Sequence, residues 1–88
     1  MKFKASVDVM PLKEILDPQG KAVEGALNQL SDFPISDVRV GKKIEFLVEA
    51  DSNEKAQAEA EKLGRNLLAN MIMEDFYVRI EKIQEGVQ

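Results

Sequence analysis

The sequence predicts one small domain of the α+β class, with its elements in the order β-α-β-β-α-β. Eighty-eight residues allow a single hydrophobic core. Four short stretches have the apolar–polar pattern of strands, and two longer stretches repeat apolar residues every three or four positions, as amphipathic helices do. The order falls into two similar halves without a linker. We therefore predict that residues 1–84 form one domain and that residues 85–88 form a frayed tail.

The first half predicts a strand and a helix. Alternation over residues 3–9 indicates a half-buried strand, which Pro11 ends because proline has no amide hydrogen to donate. Asp17 is a favourable N-cap, and Pro18 suits the first position of a helix. The helix that follows has an apolar face at helical spacing, composed of Ala22, Val23, Ala26, Leu27 and Leu30.

The second half predicts two strands, a helix and a last strand. Residues 35–40 form the second strand, and Gly41 allows a hairpin turn into the third strand at residues 44–50. Asp51 begins the second helix, with Glu54 completing a capping box. A glycine inside a helix costs about 1 kcal/mol relative to alanine, so Gly64 indicates close contact between this helix and the sheet. The last strand covers about residues 75–82.

These elements predict a ferredoxin-like fold. Right-handed connections place both helices on one face of a four-stranded antiparallel sheet. The other face carries charges of both signs and is either solvated or in contact with a symmetric copy. Its residues are Lys4, Ser6, Asp8, Arg39, Glu45, Leu47, Glu49, Tyr77, Arg79 and Glu81.

The composition excludes most catalytic chemistry. The chain has no cysteine and no histidine, which removes disulfides, thiolate metal sites and the commonest general base. Its net charge of −4 argues against nucleic acid as the main partner. No apolar run approaches the roughly 20 residues of a membrane span, and no signal peptide opens the sequence. We expect a cytoplasmic protein with no catalytic residue, metal or cofactor of its own.

Two polar segments are candidate binding sites. Asp17 to Lys21 sets a helix N-terminus beside a lysine, which suits an anion or a partner carboxylate but is equally typical of a capped helix start. Arg39, Lys42 and Lys43 surround the predicted turn, where a phosphate site and a solvated turn are the alternatives. An RNA-binding sheet is excluded because Glu45, Leu47 and Glu49 stand where exposed aromatic residues would be needed.

Three segments together resemble the PurS family, the small subunit of phosphoribosylformylglycinamidine synthase. They are residues 16–23 followed by Ala26-Leu27, residues 38–45, and residues 67–70 followed by 72–76. Their order and spacing cover nearly the whole chain. Asp-Pro-Gln-Gly-Lys-Ala-Val at residues 17–23 is the most specific string. Met71, where the family usually has proline, and Phe76, where tyrosine is usual, depart from the family pattern.

The resemblance implies a non-catalytic role in de novo purine biosynthesis. It implies a homodimer or larger assembly that bridges a large synthetase subunit, which uses ATP and Mg²⁺, and a glutaminase subunit, and that supports ammonia transfer between them. It also implies that Asp17, Gln19, Lys21, Arg39 and Lys42 are candidates for partner contacts. A dimeric regulatory module that binds a small molecule, and a free-standing enzyme that uses carboxylates and lysine, remain alternatives at this point.

Overall fold

A three-stranded antiparallel sheet and two helices make up the computed structural model, which describes residues 1–83. The predicted tail at 85–88 lies outside the described residues. The chain runs through β1 (Lys2–Pro11), α1 (Pro18–Leu30), β2 (Lys42–Glu49), α2 (Asn53–Leu63) and β3 (Glu74–Ile83). A π-helical turn (Gly64–Leu68) extends α2. The α+β class is confirmed.

The central strand β1 carries the core. Its odd-numbered residues from Phe3 to Val9 are at most 2% exposed, as the alternation over residues 3–9 predicts. β2 and β3 flank β1, with Val7 opposite both Ile44 and Val78. The inner residues of the flanking strands pack against this core but remain partly exposed. The buried side chains are therefore concentrated along one strand.

Helix α2 covers the sheet over β1 and β3. It begins after Ser52, whose hydroxyl accepts a hydrogen bond from the Lys55 amide at 3.2 Å, so the predicted start at Asp51 is one residue early. Ala56, Ala60 and Gly64 form its buried stripe. A Cβ atom on Gly64 would lie 2.6 Å from the Phe76 ring, which confirms the predicted close contact.

The predicted four-stranded sheet is wrong for the described residues. Residues 34–40, of which we expected 35–40 to form the second strand, are not paired with any strand of the sheet, and no hairpin forms at Gly41. Side chains of α1 and its N-cap accept hydrogen bonds from backbone amides of this segment that would otherwise be free to pair with a strand. The Asn28 side chain accepts from the Ile35 amide and donates to the Ile35 backbone oxygen, both at 2.9 Å. Asp37 adds a local break, because its φ is +58°.

The prediction that both helices lie on one sheet face is also wrong for a single chain. Helix α1 lies beside the 34–40 segment. The side chains of Asp17, Glu24 and Asn28 accept hydrogen bonds from backbone amides of that segment and hold the two together. Packing between helix and sheet comes from α2. The molecule is accordingly thin, 48 × 33 × 14 Å, with a radius of gyration of 16.8 Å, against about 12 Å for a compact domain of this length.

Candidate functional site

Asp17 joins the start of α1 to the unpaired segment. One carboxylate oxygen accepts from the Gly20 amide at 3.0 Å, and the other accepts from the Val40 amide at 2.9 Å. The amide of Val40, and after it that of Gly20, holds the pKa of the Asp17 carboxyl below its ordinary value, because both bonds favour the charged form. The predicted N-cap is confirmed, and the same side chain fixes where α1 sits.

Gly20 allows this junction to close. It is buried, and a Cβ atom there would collide with the backbone oxygen of Val38. The helix can therefore approach the segment this closely only with glycine at position 20. Asp17 and Gly20 act together, since the short helix–segment distance is what brings the Val40 amide within reach of the carboxylate.

Arg39 connects the same segment to the sheet. Its guanidinium donates to the backbone oxygen of Pro11 at 2.8 Å, at the end of β1. The guanidinium of Arg39 is thus already bonded within the chain while the residue stays exposed, and its contact with a partner stays a prediction. Asp17 and Arg39 are positioning residues for the segment, as the structure places them.

The other three predicted contact residues point outward at the same end of the sheet. Gln19 and Lys21 lie on the first turn of α1, and Lys42 begins β2 opposite Val9. All three are exposed. Within residues 1–83, neither Lys21 nor Lys42 takes part in an ion pair at 4.0 Å or less. Each can still bond a carboxylate of another chain.

A long apolar surface on α1 is uncovered, which the sequence did not predict. We define the α1 stripe as Val23, Leu27, Leu30 and Phe33. Leu30 is 85% exposed and Phe33 is 75% exposed, although helical spacing assigned Leu30 to a core-facing side. Single exposed apolar residues are common, but four along one helix and its end mark an interaction surface.

A second apolar surface is held on a tight turn between the π-helical turn and β3. Asn70 organises this turn, since its backbone oxygen accepts from the amides of Met73 and Glu74 and its side chain accepts from the Ile72 amide at 3.1 Å. Ile72 is 83% exposed at its tip. The amide of Leu12 donates to the Met73 oxygen at 2.9 Å, which anchors the turn to the end of β1.

The outer face of the sheet carries paired charges. Lys4 and Lys43 both contact Glu45, at 3.4 and 3.5 Å, and Arg79 contacts Asp8 at 3.4 Å. The hydrogen bond from Lys4 is the main cause that lowers the pKa of Glu45. These pairs are half exposed and contribute little stability. They match the predicted mixed-sign surface, with the exception of Arg39, which lies outside the strands.

The described residues contain no cluster of side chains that could hold a metal ion. Within residues 1–83, no group of three acidic side chains is placed to hold a metal ion. An open cavity of about 460 Å³ lies against the sheet and is lined by paired charges such as Lys4 and Glu45. No helix in this part of the chain has the length and apolarity to cross a bilayer.

A thin α+β chain with uncovered apolar surfaces and outward lysines belongs to the class of small assembly subunits. Comparison with known proteins gives the family. The profile of the PurS family, described as phosphoribosylformylglycinamidine (FGAM) synthase, matches residues 4–82. The chain belongs to this family and is a subunit of the synthase, which acts as a ligase at the level of the complex.

Relatives and solved structures agree with the profile. The PurS subunit of Mycobacterium leprae is 42% identical over 80 residues, which cover 89% of this chain and 95% of that protein. PurS of Thermus thermophilus superposes with a TM-score of 0.86 at 36% identity, covering 96% of this chain and all of that one. A chain in the PurLQS structure from Thermotoga maritima gives 0.82 at 34% identity, covering 91% and 98%.

Proposed function

We propose that this chain is the non-catalytic bridge of the synthase. In this role it joins an ATP- and Mg²⁺-dependent synthetase subunit to a glutaminase subunit and supports the transfer of ammonia between them. The overall reaction converts formylglycinamide ribonucleotide, glutamine, ATP and water to formylglycinamidine ribonucleotide, glutamate, ADP and phosphate. The complex acts in the cytoplasm. The main support is a related chain within the PurLQS structure, together with the outward surfaces of this chain.

Self-association is the first part of the proposal. The α1 stripe and the partly exposed inner face of β2 are two apolar surfaces that one chain leaves uncovered. We propose that a second copy covers both and thereby supplies the helical layer of a ferredoxin-like arrangement. Burial of apolar surface stabilises by roughly 25 cal/mol per Å², so covering the stripe with a second copy favours a dimer.

The exposed cations are the second part. We propose that Lys21 and Lys42 form charge-assisted hydrogen bonds with carboxylates of the synthetase or glutaminase subunit, with Gln19 as a neutral contact. Asp17 and Arg39 contribute indirectly, because they hold the helix start and the segment in place. This division of the five candidate residues follows from which of them already have partners within the chain.

Self-association is tested by sedimentation equilibrium on Leu30→Glu. Because Leu30 is 85% exposed, its replacement should leave the folded chain intact and shift the mass from dimer toward monomer at micromolar concentration. Gln29→Glu adds the same charge one residue earlier on the same helix and should leave the dimer intact. A monomeric wild type, or equal masses for both variants, would contradict the role of the stripe.

Contacts with partners are tested by charge reversal. Lys21→Glu should weaken co-elution with the synthetase and glutaminase subunits without a change in unfolding midpoint. Lys82→Glu, at the opposite end of the sheet, is the matched control and should bind like the wild type. Equal binding by both variants would show that the outward cations at the sheet end do not contact the partners.

A further inference from the structure

The outer edge of β3 carries backbone groups that β1 does not pair. β3 lies at the edge of the sheet, and its register with β1 runs without a bulge from Glu74 to Ile83. The hydrogen bond from the Leu12 amide to the Met73 oxygen continues this register. Backbone groups alternate along an antiparallel strand. The odd-numbered residues of β3 therefore bond β1, and the even-numbered residues direct their amides and carbonyls outward.

The chain itself closes the first part of this edge. The Glu74 amide donates to the Asn70 oxygen at 2.7 Å, and the Phe76 amide donates to the Asp75 carboxylate at 2.8 Å. The next outward residues are Val78 and Ile80. Natural sheets usually protect an exposed edge with a proline or a bulge, and β3 has neither at these positions.

A cavity lies along this open part of the edge. It has a volume of about 460 Å³, and its lining includes the four consecutive residues 78–81 of β3. Asn53 and Gln57 of α2 also line it. Val78 and Ile80 face the side covered by α2 and are half-buried, whereas Arg79 faces the outer side. The edge therefore has free space beside it, with apolar side chains on one face and a cation on the other.

We propose that residues 78–81, the β3 seam, pair with an extended segment of another subunit of the synthase. The amides and carbonyls of Val78 and Ile80 form the hydrogen bonds, as in other complexes in which a peptide adds a strand to a sheet. The inference rests on the bridging role proposed above and names a surface through which one partner binds. The seam ends before Lys82 and begins after Tyr77.

The side chains of the seam specify an apolar–acidic–apolar segment. Residues opposite each other in a strand pair lie on the same face. The two segment residues opposite Val78 and Ile80 therefore meet half-buried apolar side chains, and the residue between them meets Arg79. The Arg79 guanidinium contacts Asp8 at 3.4 Å while its side chain is 66% exposed, which leaves donors for a second carboxylate.

The position of the seam favours a different subunit over a second copy of this chain. The apolar surfaces proposed for self-association are the α1 stripe and the inner face of β2, and β2 forms the opposite edge of the sheet. A dimer formed there leaves β3 open. The rim of the seam is polar, with Asn53, Gln57 and Arg79, as is common where separately stable chains meet.

Hydrogen exchange at single amides tests the seam without any substitution. In the isolated chain, the amides of Tyr77 and Arg79 should exchange slowly because they bond β1, and those of Val78 and Ile80 should exchange fast. In the complex with the synthetase and glutaminase subunits, exchange at Val78 and Ile80 should slow at least about tenfold. Tyr77 and Arg79 are the internal references in the same strand.

Three outcomes would contradict the seam. Fast exchange at Val78 and Ile80 in the assembled complex would overturn it and leave the bridging role standing. Protection of both amides in the isolated chain that rises with protein concentration would show that a second copy occupies the edge. Failure of this chain to form any complex with the other subunits would overturn both the seam and the bridging role.

Charge reversal tests the chemistry of the segment. Arg79→Glu should weaken binding to the partner subunits at least about tenfold in titration calorimetry, and Arg79→Lys should retain most of the affinity. Lys2→Glu makes the same reversal on the outer face of the central strand and should bind like the wild type. Unfolding midpoints show whether each variant keeps its fold. Equal affinities for Arg79→Glu and Lys2→Glu would overturn the acidic residue assigned to the segment.

Discussion

Replacing Gly64 with alanine tests the contact between α2 and the sheet. The new Cβ atom would lie 2.6, 2.8 and 3.1 Å from three carbons of the Phe76 ring, where carbon atoms normally pack at about 3.5–4.0 Å. The ring would have to move by about 1 Å, although it packs against the cluster of Val7, Val9 and Ala69. Overpacking of this kind costs about 1–3 kcal/mol.

The gain in helix propensity is smaller than this cost. Alanine is favoured over glycine by at most about 1 kcal/mol inside a helix. We therefore expect Gly64→Ala to lower the free energy of unfolding by up to about 2 kcal/mol, measured by urea melts at a fixed protomer concentration. Each kcal/mol corresponds to about 4–8 °C in Tm for a domain of this size.

Gly25→Ala is the matched control. No atom lies within 4 Å of a Cβ atom at Gly25, which is exposed in α1, so alanine should stabilise the protein by about 0.5–1 kcal/mol. A Gly64→Ala variant stabilised by about 0.5–1 kcal/mol, as expected for Gly25→Ala, with an unchanged denaturant slope would refute the close contact between Gly64 and Phe76.

Three further outcomes follow from the same structure. The folded-state pKa of Asp17 is lowered, so the stabilisation from its charged form is complete above the unfolded pKa and is lost as pH falls through the folded value. Asp17→Asn should therefore reduce the fall in unfolding free energy with decreasing pH, measured by urea melts between about pH 2 and 6. Phe46→Ala should cost roughly 2–5 kcal/mol of unfolding free energy, and a loss under 1 kcal/mol would contradict its core position. Ile72→Ser should weaken binding to the partner subunits in titration calorimetry, whereas Tyr77→Ser, also exposed, should not; equal affinities would remove the Asn70 turn from the interface.

The apolar–polar pattern of the sequence was sufficient to predict the elements whose residues alternate between the core and solvent. β1 and β3 mostly alternate because one face of each meets the core, although Ser6 is buried as well. The buried stripe of α2 is visible in its small residues. The role of Gly64 could be predicted for the same reason. A glycine that is unfavourable for the helix has to be explained by a neighbour, and Phe76 is that neighbour.

The missing fourth strand could not be predicted from residues 34–40 alone. Whether an extended segment joins a sheet depends on what its amides bond, and here the partners lie 7 to 23 residues earlier, on Asn28, Glu24 and Asp17. Periodicity does not report such bonds. The helix pattern likewise shows that α1 has an apolar face but not which surface covers it.

The candidate contact residues show the limit of reasoning from residue type. Asp17 and Arg39 are charged residues in a family motif, which predicts surface contacts. The structure uses both within the chain, at 2.9 Å to Val40 and 2.8 Å to Pro11. Lys21 and Lys42 are also charged residues in the family motif, and both side chains are exposed to solvent. The three-dimensional neighbours add a positioning role for Asp17 and Arg39, and contact of any of the five residues with another chain stays a prediction.

Reconstitution with two nitrogen donors tests the bridging role most directly. Synthetase and glutaminase subunits are assayed for formylglycinamidine ribonucleotide with and without this chain, first with glutamine and then with an ammonium salt. We expect the glutamine-dependent rate to require this chain, the ammonium-dependent rate to persist without it, and this chain alone to show no turnover. Full glutamine-dependent activity without this chain would contradict the bridging role, and turnover by this chain alone would contradict its non-catalytic character.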